Sequence, residues 1–187
     1  MSTNNREAIL EAAKKAVQAH GYNGLNLRNL ADVVGIKAPS IYYHFPSKAD
    51  LGVAVAKRYW EDSEANLAAM LAAPNDPMDC LRSYPNTFRK SLESDNRMCL
   101  CSYMAAEYDD LPDAIRAEVQ TFVDVNIAWL GRVLVAAGVV EERESIDRAR
   151  AIYAAIVGAQ LIARSRSDIA MYDSLIESYR AVGILPA

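Results

Sequence analysis

The sequence predicts an all-α protein, and three observations favour this class. Apolar residues recur at the spacing of amphipathic helices along most of the 187 residues. No run alternates between polar and apolar residues well enough to be a strand, and prolines and glycines fall between the periodic stretches. With 52% hydrophobic residues, a chain of this length can bury a core without disulfides or a metal. We expect one domain, or a small module joined to a larger one.

Three helices are predicted in the first 47 residues, and the last two of them are short. They cover residues 5–19, 27–34 and 39–45. Asn26 is a suitable N-cap for the second helix. Gly35 is suited to end that helix, because glycine accepts a positive φ. Pro39 suits the first turn of the third helix. Because helices of two turns persist only when packed together, the segment predicts a helix-turn-helix, whose second helix enters the major groove of DNA.

Longer helices are predicted in the rest of the chain. They cover residues 48–71, 78–94, 97–108, 112–137, 144–167 and 171–182. Ser47 caps the first of them, and the Pro-Asn-Asp-Pro segment at residues 74–77 is the strongest breaker in the chain. Pro85 falls inside the second, where we expect a kink because proline cannot donate the helical hydrogen bond.

The stretch from Gly24 to Lys48 resembles the signature of the TetR family of transcriptional regulators. A Gly-Tyr pair precedes it, Leu-Ala and Gly-Ile lie within it, and Tyr-x-His-Phe-x-x-Lys ends it. Asn26 departs from the Ser or Thr that is more usual in the family, but it caps a helix equally well. The resemblance implies a helix-turn-helix DNA-binding domain at residues 1–47 and an effector-binding and dimerisation domain at residues 48–187.

By this resemblance, nine residues are expected to contact DNA. Arg28, at the start of the second helix, can reach a guanine edge, and Lys48, at the start of a later helix, can bind a phosphate. The others lie on or beside the recognition helix. The nine are Arg28, Lys37, Ala38, Pro39, Ser40, Tyr42, Tyr43, His44 and Lys48. Two alternatives stay open: Arg28 as an ordinary surface charge and Tyr42 as a mainly structural residue.

The middle helices, where the family holds its effector, are rich in aromatic and sulfur-containing residues. Those expected to line an effector pocket are Trp60, Tyr84, Phe88, Cys101, Met104, Glu107, Tyr108, Phe122, Asn126 and Trp129. Glu107 and Asn126 would orient the ligand. For each member, a place in an ordinary core is the alternative. Whether Cys80, Cys99 or Cys101 is a reactive sensor thiol also stays open, with a buried and inert cysteine favoured.

The apolar segment at residues 151–163 predicts a homodimer. It is apolar on nearly every face and therefore needs cover on all sides. TetR-family members dimerise through their last two long helices, and this segment together with residues 171–182 is similar to that pair. The expected interface residues are Tyr153, Ala154, Ile156, Val157, Gly158, Leu161, Ile176 and Tyr179. The alternative is a helix that is buried inside its own subunit.

Composition argues against several other classes of protein. Residues 1–50 carry six basic and four acidic side chains and the rest carry 14 and 20, so only the N-terminal end suits an anionic partner. Neither histidine is placed to act as a catalytic base, and the sequence has no phosphate loop or metal-ligand cluster. We therefore expect no enzyme, cofactor or bound metal. No stretch reaches the ~20 apolar residues of a membrane span and no signal peptide is evident, so the protein is expected in the cytoplasm.

Together these features predict a homodimeric repressor of transcription. It would bind a pseudo-palindromic operator in double-stranded DNA and be released by a small-molecule effector, which the sequence does not identify. An activator, or a regulator that needs a co-repressor, has the same sequence features. A helical ligand-binding protein without a DNA function is a more distant alternative.

Overall fold

A computed structural model describes residues 2–72 and 74–187, with side chains from residue 5. Within these ranges the protein contains helices and no strand, so the predicted all-α class is confirmed. The helices are α1 (Ser2–His20), α2 (Leu27–Val34), α3 (Ala38–His44), α4 (Lys48–Met70), α5 (Pro77–Ser83), α6 (Asn86–Glu93), α7 (Leu100–Ala106), α8 (Asp113–Ala136), α9 (Glu142–Ser165) and α10 (Ile169–Ala181). Short 3-10 turns follow α1 at Tyr22–Gly24 and α7 at Tyr108–Asp110.

The segment at residues 78–94 differs from its prediction. Pro85 does not kink one helix there but separates two, α5 and α6. Its backbone oxygen accepts hydrogen bonds from the amides of Phe88 and Arg89, at 3.1 and 3.2 Å, and so begins the second helix. Proline has no N–H to continue the first helix, but its fixed φ suits the start of another.

The described residues form two compact units. Unit 1 contains the residues up to Glu61 together with Cys99–Phe122, and unit 2 contains Asp62–Met98 and Val123–Ala187. Helices α4 and α8 each contribute to both. The functional boundary between residues 47 and 48 stays a prediction.

In unit 1, the helix-turn-helix is held by local capping and by a small apolar core. The side-chain oxygen of Asn26 accepts from the amides of Arg28 and Asn29, at 3.0 and 3.1 Å, and so caps α2 as predicted. Gly35 ends α2 at φ 74°, a conformation that costs glycine little. Buried apolar side chains from α2, α3 and the residue that follows them then join the helices: Leu27, Leu30, Ala31, Ile41 and Phe45.

In unit 2, α10 packs on α9, and both pack on α6. Hydrogen bonds from two buried side chains tie this packing to the backbone around α6. The Tyr172 hydroxyl donates to the Pro85 oxygen at 2.8 Å, and the Gln160 amide donates to the Phe88 oxygen at 2.7 Å. The Tyr172 hydroxyl and the Gln160 amide therefore each have a partner, which avoids the cost of burying these two groups unpaired.

Helix α8 is the one helix in the described ranges that is long and apolar enough to cross a bilayer. Of its most apolar stretch, 44% is buried inside the protein. Leu130, Val133 and Leu134 are each fully buried. This pattern is that of a core helix.

Candidate nucleic-acid interface

Helix α3 has one buried face and one exposed face. Ile41 is fully buried, and Phe45, directly after the helix, is 3% exposed. On the other face, Tyr42 is 45% exposed and Tyr43 is 81% exposed. Large aromatic side chains at this exposure gain nothing from the core, so they are available to a partner.

The nine predicted DNA-contacting residues all lie on α2, α3 or the chain immediately beside them. The exposed members are Arg28, Lys37, Pro39, Tyr42 and Tyr43, and the half-buried members are Ala38, Ser40, His44 and Lys48. Arg28 lies in the first turn of α2, and Lys37 is the N-cap of α3. These residues thus lie on the helix-turn-helix or at the start of the helix that follows it, while their contacts with DNA stay a prediction.

Lys48 is held by an aromatic ring that the sequence did not single out. Its Nζ lies 4.4 Å from the centroid of the Tyr22 ring, within the range of a cation–π interaction. Tyr22 is 8% exposed, and burial raises the pKa of its hydroxyl. The Gly-Tyr pair at residues 21–22 was the available sequence signal for Tyr22. Nothing in that pair indicates which cation the tyrosine ring contacts.

Glu107, predicted as an effector ligand, is engaged by the backbone of unit 1. Its carboxylate accepts from the Tyr22 amide at 2.5 Å and lies 3.5 Å from the Asn23 amide. These amides open the 3-10 turn between α1 and α2, where the helical ladder supplies no acceptor. Glu107 therefore joins the end of α7 to the start of the helix-turn-helix.

In unit 2, four predicted effector ligands form one packed cluster. The Tyr84 hydroxyl donates to the Asn126 side-chain oxygen at 2.9 Å, and the Tyr84 ring is stacked on Trp129 with centroids 5.4 Å apart. Phe88 meets the edge of Tyr84 at 5.9 Å. The Trp129 indole donates to the Leu67 oxygen at 2.8 Å. The polar groups of Asn126, Tyr84 and Trp129 thus have partners in the protein itself.

The other six predicted effector ligands lie in unit 1. Cys101 and Met104 are buried, and Phe122 packs against Tyr59 at 5.4 Å. Trp60 donates to Glu118 at 2.6 Å, and Tyr108 is 52% exposed beneath the Arg116 guanidinium. Effector binding by any of the ten residues stays a prediction.

All three cysteines are buried thiols. Burial raises the pKa of Cys80 and Cys99, and it raises that of Cys101 well above its ordinary value. At neutral pH the thiolate is therefore scarce, and reactivity increases only as pH rises toward these pKa values. A low thiolate fraction and poor access both oppose a sensor role.

We expect the native thiols to react with iodoacetamide at least about tenfold more slowly than the same thiols in denaturant. Mass spectrometry of timed samples at pH 7.5 measures both rates. The denatured protein is the control for intrinsic reactivity. One thiol alkylated in the native protein as fast as in denaturant would reinstate that cysteine as a sensor candidate.

The predicted dimer residues divide into surface and core. Ile156 is fully buried and Ile176 is 4% exposed, so these two face the interior of unit 2, and a contact of either residue with a partner stays a prediction. Helical periodicity alone cannot separate the inner from the outer side of a helix that is apolar all round. The remaining residues are exposed or half-buried and stay predicted interface residues: Tyr153, Ala154, Val157, Gly158, Leu161 and Tyr179.

An N-capped helix-turn-helix with an exposed aromatic and basic face defines a class of DNA-binding regulatory proteins. Residues 9–55 match the family model described as bacterial regulatory proteins, tetR family. A TetR transcriptional regulator from Legionella pneumophila has the same fold at a TM-score of 0.87, with 29% identity over 94% of this chain and 95% of that one. The chain therefore contains a DNA-binding domain of the tetR family, within a chain that has the fold of a TetR transcriptional regulator.

Two curated relatives carry the resemblance at the level of sequence. The transcriptional repressor AcnR of Corynebacterium glutamicum is 38% identical over 55 residues, 29% of each chain. The transcriptional activator FasR of Mycolicibacterium smegmatis is 28% identical over 92 residues, 49% of this chain and 42% of that protein. The matches span less than half the length of these relatives, both of which are described as HTH-type transcriptional regulators.

Proposed function

We propose that the protein is a homodimeric transcriptional regulator, and specifically a repressor, that binds a pseudo-palindromic operator in the cytoplasm. The exposed face of α3, with Tyr43 81% exposed on a helix whose other side is core, is the observation that carries the proposal. An exposed aromatic and basic surface on a helix-turn-helix is the chemistry that meets bases and phosphates. The protein has no catalytic role in this proposal.

The dimer in this proposal follows from how little DNA one short helix can read. Helix α3 has seven residues and reaches only a few base pairs, which are too few to specify one binding site in a genome. Two copies related by a two-fold axis double the site, with the two recognition helices ~34–36 Å apart in successive major grooves. The outer side of α9 suits such an interface, because Leu161 is 54% exposed and Ile162 is 45% exposed on it.

Release by a small molecule completes the proposal. An effector acts only if it binds the released state more tightly than the DNA-bound state, whatever its overall affinity. A tenfold shift in operator occupancy needs ~1.4 kcal/mol of such preference. The relatives include both a repressor and an activator, so activation is the second candidate.

Selection from a pool of random DNA duplexes at physiological salt tests the proposal. Sequencing of the retained fraction should return one inverted repeat. Enrichment of no sequence, both with and without added cell extract, would contradict it. Selection that appears only with the extract would indicate dependence on a co-repressor.

We expect Lys48→Ala to weaken binding to every duplex and to lower the slope of log K against log salt by about one per subunit, since each subunit loses one phosphate contact. Because a dimer loses two such contacts, the slope per dimer should fall by about two. Fluorescence anisotropy titrations at four salt concentrations measure it. Lys57→Ala, an exposed lysine two turns further along α4, is the matched control. An unchanged slope would remove Lys48 from the phosphate contacts.

A further inference from the structure

The Tyr22 ring covers the first turn of α4. Lys48 and Gly52 are four residues apart and therefore lie on the same face of that helix. The Lys48 ammonium is 4.4 Å from the ring centroid. A Cβ at Gly52 would lie 2.9 Å from Tyr22 Cε2 and 2.5 Å from Ile115 Cδ1, closer than atoms tolerate. Glycine at this position is thus what lets the ring approach α4 and reach the lysine.

The ring of Tyr22 contacts α4, whereas its backbone is held by a residue at the end of α7. Its amide donates to the Glu107 carboxylate at 2.5 Å, which is a short, charge-assisted hydrogen bond. Gly21 precedes it at φ 69°, and a side chain there would collide with that carboxylate. Glu107, at the end of α7, therefore holds the Tyr22 backbone together with the local backbone hydrogen bonds, and the ring follows the backbone.

We propose that Tyr22 is a positioning residue through which Glu107 orders the Lys48 ammonium for its phosphate contact. This inference rests on the proposed function, since it gives Lys48 a phosphate to contact. A lysine side chain on an open surface has many rotamers and loses them on binding, at an estimated cost of ~0.5–1.5 kcal/mol. A ring stacked against the ammonium in the free protein removes part of that loss in advance. Glu107 thereby couples the position of α7 to the affinity of the protein for DNA.

Nuclear magnetic resonance of the DNA-free protein tests the contact itself. The ε-methylene resonances of Lys48 should be displaced upfield by the ring current of Tyr22. Tyr22→Phe should keep that displacement and Tyr22→Leu should abolish it. Glu107→Ala should reduce it, Glu107→Gln should reduce it less because one acceptor oxygen remains, and Asp109→Asn, an exposed acid nearby, should leave it unchanged. Unshifted resonances in the unmodified protein would overturn the inference without any DNA measurement.

Operator binding tests the positioning role. Tyr22→Leu and Glu107→Ala should each weaken binding about threefold per subunit, and so about tenfold for the dimer, the cost of ordering one side chain in each subunit, with the salt slope unchanged because the phosphate contacts still form. Tyr22→Phe should bind like the unmodified protein. In a Lys48→Ala background, neither Tyr22→Leu nor Glu107→Ala should weaken binding further, since both act through that lysine.

The outcomes separate failure of the inference from failure of the proposed function. Additive losses in the Lys48→Ala background, or equal binding by Tyr22→Leu and Tyr22→Phe, would overturn the positioning role. If the unmodified protein selects no duplex with or without cell extract while the Lys48 resonances behave as expected, the contact is real but the DNA function is wrong. Where Glu107→Ala fails to fold, the milder Glu107→Gln gives the same comparison.

Discussion

Gly158→Arg should convert the protein from dimer to monomer and reduce its affinity for a two-half-site operator at least about a hundredfold, since a dimer gains roughly 10²–10⁴ from joined half-sites. The substitution is harmless to the subunit. A Cβ added at Gly158 meets no atom within 4 Å. Arginine also has a better helix propensity than glycine, by about 0.7–1 kcal/mol. Any loss must therefore come from the partner, against which a charge would be buried unpaired.

Sedimentation velocity measures the mass, and anisotropy measures the affinity. Ala117→Arg, on an exposed part of α8, adds the same side chain at a site outside the predicted interface. It should leave both the mass and the affinity unchanged. A Gly158→Arg protein that stays dimeric would show that α9 is not the interface.

Trp129→Ala should lower the free energy of unfolding by about 4 kcal/mol, in the range for truncation of a buried aromatic side chain. The indole is 2% exposed, is stacked on Tyr84 at 5.4 Å, and donates to the Leu67 oxygen at 2.8 Å. Truncation removes the stacking and one of the two hydrogen bonds that the Leu67 oxygen accepts, the other coming from the Leu71 amide at 3.3 Å. Because a domain of this size has only ~5–15 kcal/mol of stability, the variant should be close to unfolding at 37 °C.

Urea denaturation at constant protein concentration measures the loss. Trp129→Phe keeps a ring against Tyr84 and removes only the N–H donor and some volume, so it should cost about 1–2 kcal/mol. The losses in free energy of unfolding of the two variants, compared with each other, distinguish a packed core from an effector pocket. A loss near 1 kcal/mol for Trp129→Ala would mean that the indole faces open space, and it would favour the predicted role of Trp129 as a pocket wall.

The helix-turn-helix was predictable because its determinants are local. The cap at Asn26, the positive φ at Gly35 and the Pro39 helix start act within a few residues of each other, and all three are present in the structure. At Pro85, the local sequence signals are not sufficient to predict the structure. Its neighbours favour a helix on both sides, and whether proline bends one helix or separates two depends on the tertiary packing of α5 and α6.

The candidate site was predictable only in part, for a related reason. Periodicity shows that Tyr84 and Trp129 face inward, but it does not show whether the interior is filled by their neighbours or by a ligand. It also does not distinguish Ile156, in the core, from Leu161, on the surface of the same helix. The bond between Tyr22 and Glu107 joins residues 85 positions apart, and no spacing rule along the chain reaches that far.

The most direct test of a two-fold DNA-reading regulator compares two duplexes. One carries the selected inverted repeat, and the other has one half-site scrambled at constant length and composition. The unmodified protein should bind the intact repeat at least about a hundredfold more tightly, whereas monomeric Gly158→Arg should discriminate between the duplexes only about twofold, the statistical factor for two sites against one. Equal binding of both duplexes by the unmodified protein would contradict the two-fold reading of an operator.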